Sequence, residues 1–205
     1  MIIIVVKLNI PLHNYFFNEY LEGVKAGYNT TITQPIDSII KQNIPWGSIV
    51  NHGKKFVILR MLAKEIGEEK LFKILEYCLQ NYKGINFTLD LFQKTCEKIT
   101  NKDLGWFFDQ WYRTNGYLDY QIQTVETNLK NNKYETTCFI NRQGSVYMTN
   151  VDVSIRTKDS TNIIKRIDGK QKAIKLIFES EAEPTRIEID PQSELPLVNQ
   201  KVWIK

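Results

Sequence analysis

Histidine is scarce in this chain, with only two in 205 residues, His13 and His52, too far apart in sequence to share a helical turn. Cysteine is nearly as rare. Cys78, Cys96 and Cys138 are odd in number and never in C-x-x-C spacing, so neither a disulfide framework nor a cysteine zinc site is indicated. Cys78 and Cys138 fall on apolar faces and read as small core residues. No glycine-rich phosphate loop and no G-x-S-x-G elbow is present. Long hydrophobic runs are also missing. The apolar opening Met1–Val6 is interrupted by Lys7 and Asn9 before a signal-peptide core or a membrane span can form. The net charge of +4 is mild, and Lys and Arg are interspersed with Asp and Glu, which excludes the clustered basic face of a nucleic-acid binder.

What remains is ordinary globular composition, 42% hydrophobic and 24% charged, in a chain long enough for one large domain or two small ones. Periodicity predicts an opening helix from about Pro11 to Lys25, stopped near Gly27. Tyr28–Gly53 reads as a long loop with a short helix at Ile36–Lys41, the kind of connection that packs on something or serves a function. From Lys55 to Ile66 the chain is apolar on nearly every face, as in a helix built to be buried, and Gly67 supplies its stop. Glu68–Tyr82 is one-sided, with Leu71, Ile74, Leu75, Cys78, Leu79 and Tyr82 in a stripe. Thr88 is placed to cap a third helix with Leu89, Phe92, Cys96 and Ile99 on its face. Asn101 or Asp103 can cap a fourth, Leu104–Arg113, which carries Trp106, Phe107, Phe108, Trp111 and Tyr112. Rings this dense signal core or interface packing, here expected to form the joint to the following region.

Beyond Tyr117 the period changes to alternation. Tyr134, Thr136, Cys138 and Ile140 share a face, as do Val151, Val153 and Ile155, then Ile174, Leu176 and Phe178, then Ile187 and Ile189. Turn signals at Asn131–Asn132, Gln143–Gly144, Asp159–Ser160 and Asp168–Gly169 separate them at the intervals of an antiparallel sandwich. The fold class is therefore α+β, a helical lobe over 1–117 followed by an antiparallel β-sandwich over 118–205.

Several stretches together resemble the zinc metallopeptidases of the aminopeptidase N and leukotriene hydrolase type. His52-Gly53-Lys54-Lys55 stands where the family has Tyr-x-Lys-Gly ahead of an apolar helix. Glu65-Ile66-Gly67-Glu68-Glu69-Lys70-Leu71-Phe72 is similar to its Gly-Asp/Glu-Glu-x-Phe turn, and Thr88-Leu89-Asp90-Leu91-Phe92 to its threonine-capped helix start. Asp103-Leu104-Gly105-Trp106-Phe107-Phe108-Asp109-Gln110-Trp111 resembles its Asp-Leu-x-x-Phe-Phe-x-Gln-Trp signature, and Glu183–Pro191 the closing strand of its β-sandwich. The resemblance covers about Asn51 to Pro191 and implies the late catalytic domain plus that sandwich.

The resemblance implies zinc chemistry, and the chain lacks its ligands. The family's site takes two histidines one helical turn apart, a third carboxylate and a glutamate base, supplied by H-E-x-x-H and a downstream glutamate. No H-E-x-x-H occurs here. Asn18-Glu19 and Leu21-Glu22-Gly23 look like the Asn-Glu-Gly around the third ligand, but they lie too close to His52 in sequence, and neither glutamate is given the role. His52 is the one catalytic candidate: the resemblance puts it at the family's tyrosine, whose hydroxyl donates a hydrogen bond to the developing oxyanion. A polar loop residue ahead of a helix is the plainer account of it. Asp90, Asp103, Asp109 and Asp190 read as caps, turns and strand ends.

The expectation is a C-terminal portion of an aminopeptidase-like enzyme, inactive alone, with no cofactor of its own and zinc held by an N-terminal catalytic half. Its partner is then that half or another protein, and a peptide is its substrate only when that half is present. Two other classes compete: a stand-alone, non-catalytic protein-interaction scaffold, and a carbohydrate-binding β-sandwich module.

Overall fold

The computed structural model describes residues 10–45, 52–199 and 202–205, with the side chains of 10–13 excluded. The apolar opening Met1–Val6, the loop positions from Trp46 to Asn51 and the side chain of His13 lie outside the described residues. The chain divides into two compact units, the first ending at Gly116 and the second beginning at Tyr117. The architecture is α+β: helices in the first unit, two antiparallel sheets in the second.

The first unit contains α1 (Ile10–Lys25), α2 (Ile36–Lys41), α3 (Lys55–Ile66), α4 (Glu68–Asn81), α5 (Leu89–Thr100) and α6 (Gly105–Tyr112). Helix α3 is the hub, packing against α1, α4 and α6, while α5 packs on α4. Its sequence explains this position. Phe56, Val57, Ile58, Met61, Leu62, Ala63 and Ile66 are all buried and point in several directions, so several neighbours are needed to cover them. Gly67, at φ +94°, ends α3 and starts α4, a turn that a side chain would strain. Arg60 of α3 bonds Glu68 of α4 at 2.7 Å across it.

Helix α5 begins where Thr88 accepts the Leu91 N–H at 3.2 Å and ends at Asn101, which is left-handed at φ +53°. Asp103 then accepts the Gly105 N–H at 2.9 Å ahead of α6. In α6, Phe107, Phe108, Trp111 and Tyr112 are buried; Phe108 stacks on Tyr112 at 4.9 Å and meets Phe92 of α5 edge-on at 5.8 Å. These rings are core contacts inside the helical unit.

Two expectations need correction. In α4 only Leu71 and Ile74 are fully buried, whereas Leu79 is 63% exposed and Cys78 half-buried, because the stripe's last turns run past the covering surface. Cys78 is thus not a core residue, while Cys138 is. In α5 the buried set is Phe92, Thr95, Cys96 and Thr100. Leu89 and Ile99 are only half-buried. The two threonines can take the inner face because each hydroxyl bonds the carbonyl four residues back, Thr95 to Leu91 at 2.8 Å and Thr100 to Cys96 at 2.7 Å.

The second unit holds β1 (Tyr120–Lys130), β2 (Lys133–Arg142), β3 (Val151–Thr157), β4 (Asn162–Ile167), β5 (Ala173–Ser180), β6 (Pro184–Ile189) and β7 (Val202–Ile204). One sheet has the order β1-β2-β5 and the other β4-β3-β6-β7. Their inner faces supply Cys138, Ile140, Ile174 and Phe178 from the first and Val151, Val153, Ile155, Ile187 and Ile189 from the second. The β1–β2 hairpin turns at Asn131 and Asn132, both left-handed as a two-residue turn of this hand requires. At the start of β1 the Tyr120 hydroxyl donates to the Gly169 carbonyl at 2.9 Å and accepts the Met148 N–H at 3.3 Å. A side chain at Gly169 would overlap that hydroxyl.

Candidate functional site

His52, Gly53 and Lys54 lie in a π-helical turn that runs directly into α3. Such turns recur at functional positions because they re-aim a side chain within a helix. Gly53 lies against α1 so closely that an added Cβ would meet the Tyr20 backbone nitrogen at 3.0 Å and the Glu19 Cβ at 3.4 Å. That approach sets His52 beside α1. The imidazole is exposed, with its ring 6.4 Å from Phe16, which in turn meets Phe56 at 4.8 Å.

Helix α1 brings two polar groups to the same place. Glu19 accepts the Tyr15 hydroxyl at 2.7 Å through Oε1, while its Oε2 is buried with no hydrogen-bond partner among the described residues. Tyr20 is fully buried, its hydroxyl also lacks a partner there, and burial raises its pKa. An unmatched buried oxygen costs free energy, so these two oxygens are a local cost of this packing. Glu22, the other acid considered above, is exposed.

Lys54 is the most constrained residue of the turn. It is 2% exposed, and its Nζ donates to the Thr30 carbonyl at 2.5 Å, Asn29 Oδ1 at 3.0 Å and the Thr114 carbonyl at 3.2 Å. All three ammonium protons are used on uncharged oxygens. Burial pulls its pKa down to about 7, and the three acceptors oppose that by favouring the charged form. Asn29 also donates to the Asn115 and Gly116 carbonyls, at 2.5 and 3.0 Å. Lys54 thereby ties the loop after α1 and the segment after α6 to the head of α3.

The other candidate residues are structural. Asp90 and Asp109 both bond Arg113, at 2.9 and 3.0 Å. Asp190 accepts the N–H groups of Glu194 and Leu195 at 3.0 and 2.9 Å. Burial pushes the Cys96 and Cys138 thiols up to about 12, far from the thiolate a nucleophile needs. A separate hollow of about 480 Å³ in the helical unit is lined by Ile32, Leu59, Phe87, Leu89, Phe92 and Tyr112 with few polar groups. Among the described residues no three His, Cys, Asp or Glu side chains gather as a metal site. No described helix is long and apolar enough to cross a membrane.

No family model matches the sequence, and no curated protein sequence matches it. Solved structures do. The aminopeptidase A of Legionella pneumophila, crystallised in complex with aspartic acid, superposes on 87% of this chain with a TM-score of 0.57 at 16% identity. The chain shares its fold with part of an aminopeptidase. It spans 21% of that enzyme's length. Within this aminopeptidase-like fold, the turn of His52, Gly53 and Lys54 at the head of α3 packs through Gly53 against the α1 backbone at Glu19 and Tyr20. The approach of Gly53 to Glu19 and Tyr20 was not legible from sequence spacing. Lys54 did leave a signal, since it matches the lysine of the Tyr-x-Lys-Gly pattern.

Proposed function

We propose that this chain is the C-terminal portion of an aminopeptidase-like zinc metallopeptidase and that it hydrolyses no peptide by itself. The observation that carries the proposal is the fold it has in common with a fifth of an aminopeptidase. The packing of the His52 turn against Glu19 and Tyr20 adds to it. The donors gathered among the described residues do not fit zinc. A site of this class takes two histidines and a carboxylate, with a glutamate as base. Here His52 is exposed against a phenylalanine ring, and the undescribed side chains add only His13 to the possible ligands. No catalytic step is therefore derived through a metal on this chain. In the assembled enzyme His52 would offer an N–H toward an oxyanion at the position the family gives to tyrosine. The N-terminal catalytic half would bring zinc, base and peptide.

The test is direct. Purified chain is expected to carry no stoichiometric zinc by elemental analysis and to cleave no aminoacyl anilide. Robust cleavage abolished by a chelator overturns the proposal. A second reading, a non-catalytic interaction scaffold, draws on the exposed Ile36, Ile40, Leu79, Ile85 and Phe87 of the helical unit. The coding sequence upstream of Met1 separates the two: an in-frame H-E-x-x-H with a downstream glutamate supports the enzyme, an independent start the scaffold.

A further inference from the structure

The second unit carries an unbalanced pair of arginines. Strand register on β4-β3-β6-β7 aligns Asn162, Arg156, Arg186 and Ile204 in one row across the sheet, and Ile164, Ser154, Glu188 and Val202 in the next. These rows lie on the outer face, since Ile155 and Ile187, one residue along each strand, are buried on the inner one. Arg156 and Arg186 are direct cross-strand partners. Like charges placed opposite each other destabilise a sheet, so the pairing calls for something that compensates.

The same face shows what compensation looks like. One row further on, Arg166 faces Asp152 and binds it with two hydrogen bonds of 2.7 and 3.0 Å. The Arg156–Arg186 row has no such carboxylate. Glu188 reaches Arg186 Nη2 at 3.1 Å, which leaves the group with one positive charge in excess. The Arg156 guanidinium makes no hydrogen bond or ion pair among the described residues, and Arg186 Nε is buried without an acceptor. Between them lies a hollow of about 340 Å³ that also takes in Ser154, Ser160, Asn162, Pro191 and the acidic Glu188. Ser160 reaches it from a left-handed turn position at φ +67°.

We propose that this hollow is an oxyanion-binding site that takes a phosphoryl group, either as free phosphate or carried on a ligand. Two guanidinium forks supply paired, charge-assisted donors of the geometry that phosphate oxygens accept. The serine hydroxyls and the Asn162 amide add donors from the floor and rim, more than a planar carboxylate can use. An anion there relieves the Arg156–Arg186 repulsion. Two arginines in a small, open polar hollow, without a flanking basic stripe, suit one compact anion rather than a nucleic-acid backbone. The proposal is independent of any peptidase role, because it rests on side chains of the β-sandwich alone.

The experiment is a titration of the full chain with inorganic phosphate, at ionic strength held constant with sodium chloride and followed by calorimetry. Saturable binding is expected. Arg156→Gln should weaken it about tenfold or more, the equivalent of one charge-assisted contact. Arg156→Lys, which keeps the charge and the fold but not the fork, should fall between. Glu188→Gln should tighten binding by removing the competing carboxylate. Lys175→Gln, an equal charge change on β5 of the other sheet, should leave it within about twofold. A phosphoserine peptide that binds more tightly than phosphate identifies a protein-borne group, and equal affinity identifies the free ion. No saturable binding, equal losses in Arg156→Gln and Lys175→Gln, or acetate competing as well as phosphate overturns the proposal.

Discussion

Lys54 shows how one side chain can hold three segments together at an electrostatic cost. Removing its amine leaves three oxygens that lose their donor, so Lys54→Met is expected to cost about 2–4 kcal/mol in urea unfolding at neutral pH. The pH dependence has a definite sign. The folded-state pKa near 7 lies below the ordinary lysine value of 10.5, so between them the unfolded chain binds more protons. Stability contributed by this residue is therefore lowest below pH 7 and rises with pH across that window. The three acceptors reduce the size of the rise without reversing it. Unfolding midpoints at pH 7 and pH 9 should show an increase in the wild type that Lys54→Met lacks. An equal increase in both proteins assigns it to another group.

At the level of elements, the caps and periods were readable and the contact surfaces less so. Thr88 and Gly67 mark helix ends by local chemistry, which is why the start of α5 and the end of α3 could be placed from sequence. Thr88→Ala is expected to cost about 1 kcal/mol, measured by thermal or chemical unfolding, through loss of its bond to the Leu91 N–H. The exposed end of the α4 stripe could not be read, because periodicity says which residues align and not how far a neighbour extends. Strand β1 left a weak signal for a similar reason. Its burial alternates only in part, and a register shift falls between Ile122 and Thr124. In the β-sandwich, Gly169→Ala should destabilise more than Tyr120→Phe, since the first forces the Tyr120 ring out of place and the second removes only its hydroxyl. Chemical unfolding of the two variants checks the order.

For the whole molecule, the fold class was legible because helical and alternating periods occupy separate halves of the chain. The polar constellations were not. The seating of the His52 turn beside α1 depends on Gly53 lying against that helix, and the Arg156–Arg186 pair depends on strand register, neither of which spacing along one chain records. The helical unit also displays apolar side chains that composition could not locate. Leu79, Ile85 and Phe87 are 63%, 53% and 46% exposed. A surface of this kind is ordinarily covered by a partner. Replacing Leu79 and Ile85 with serine is expected to lower self-association in sedimentation and to reduce binding of a hydrophobic dye, with little change in unfolding free energy. Unchanged association would place the sticky surface elsewhere.

The burial of Lys54 also gives the protein a chemical reporter. Amine-acylating reagents attack the free, neutral amine, and this one is sealed from solvent with its protons committed to three oxygens. The lysines on the surface should be modified far sooner. Lys54 should react only through openings that part the head of α3 from Thr30 and Thr114, so mass-resolved labelling at that one position would report how often the helical unit opens there.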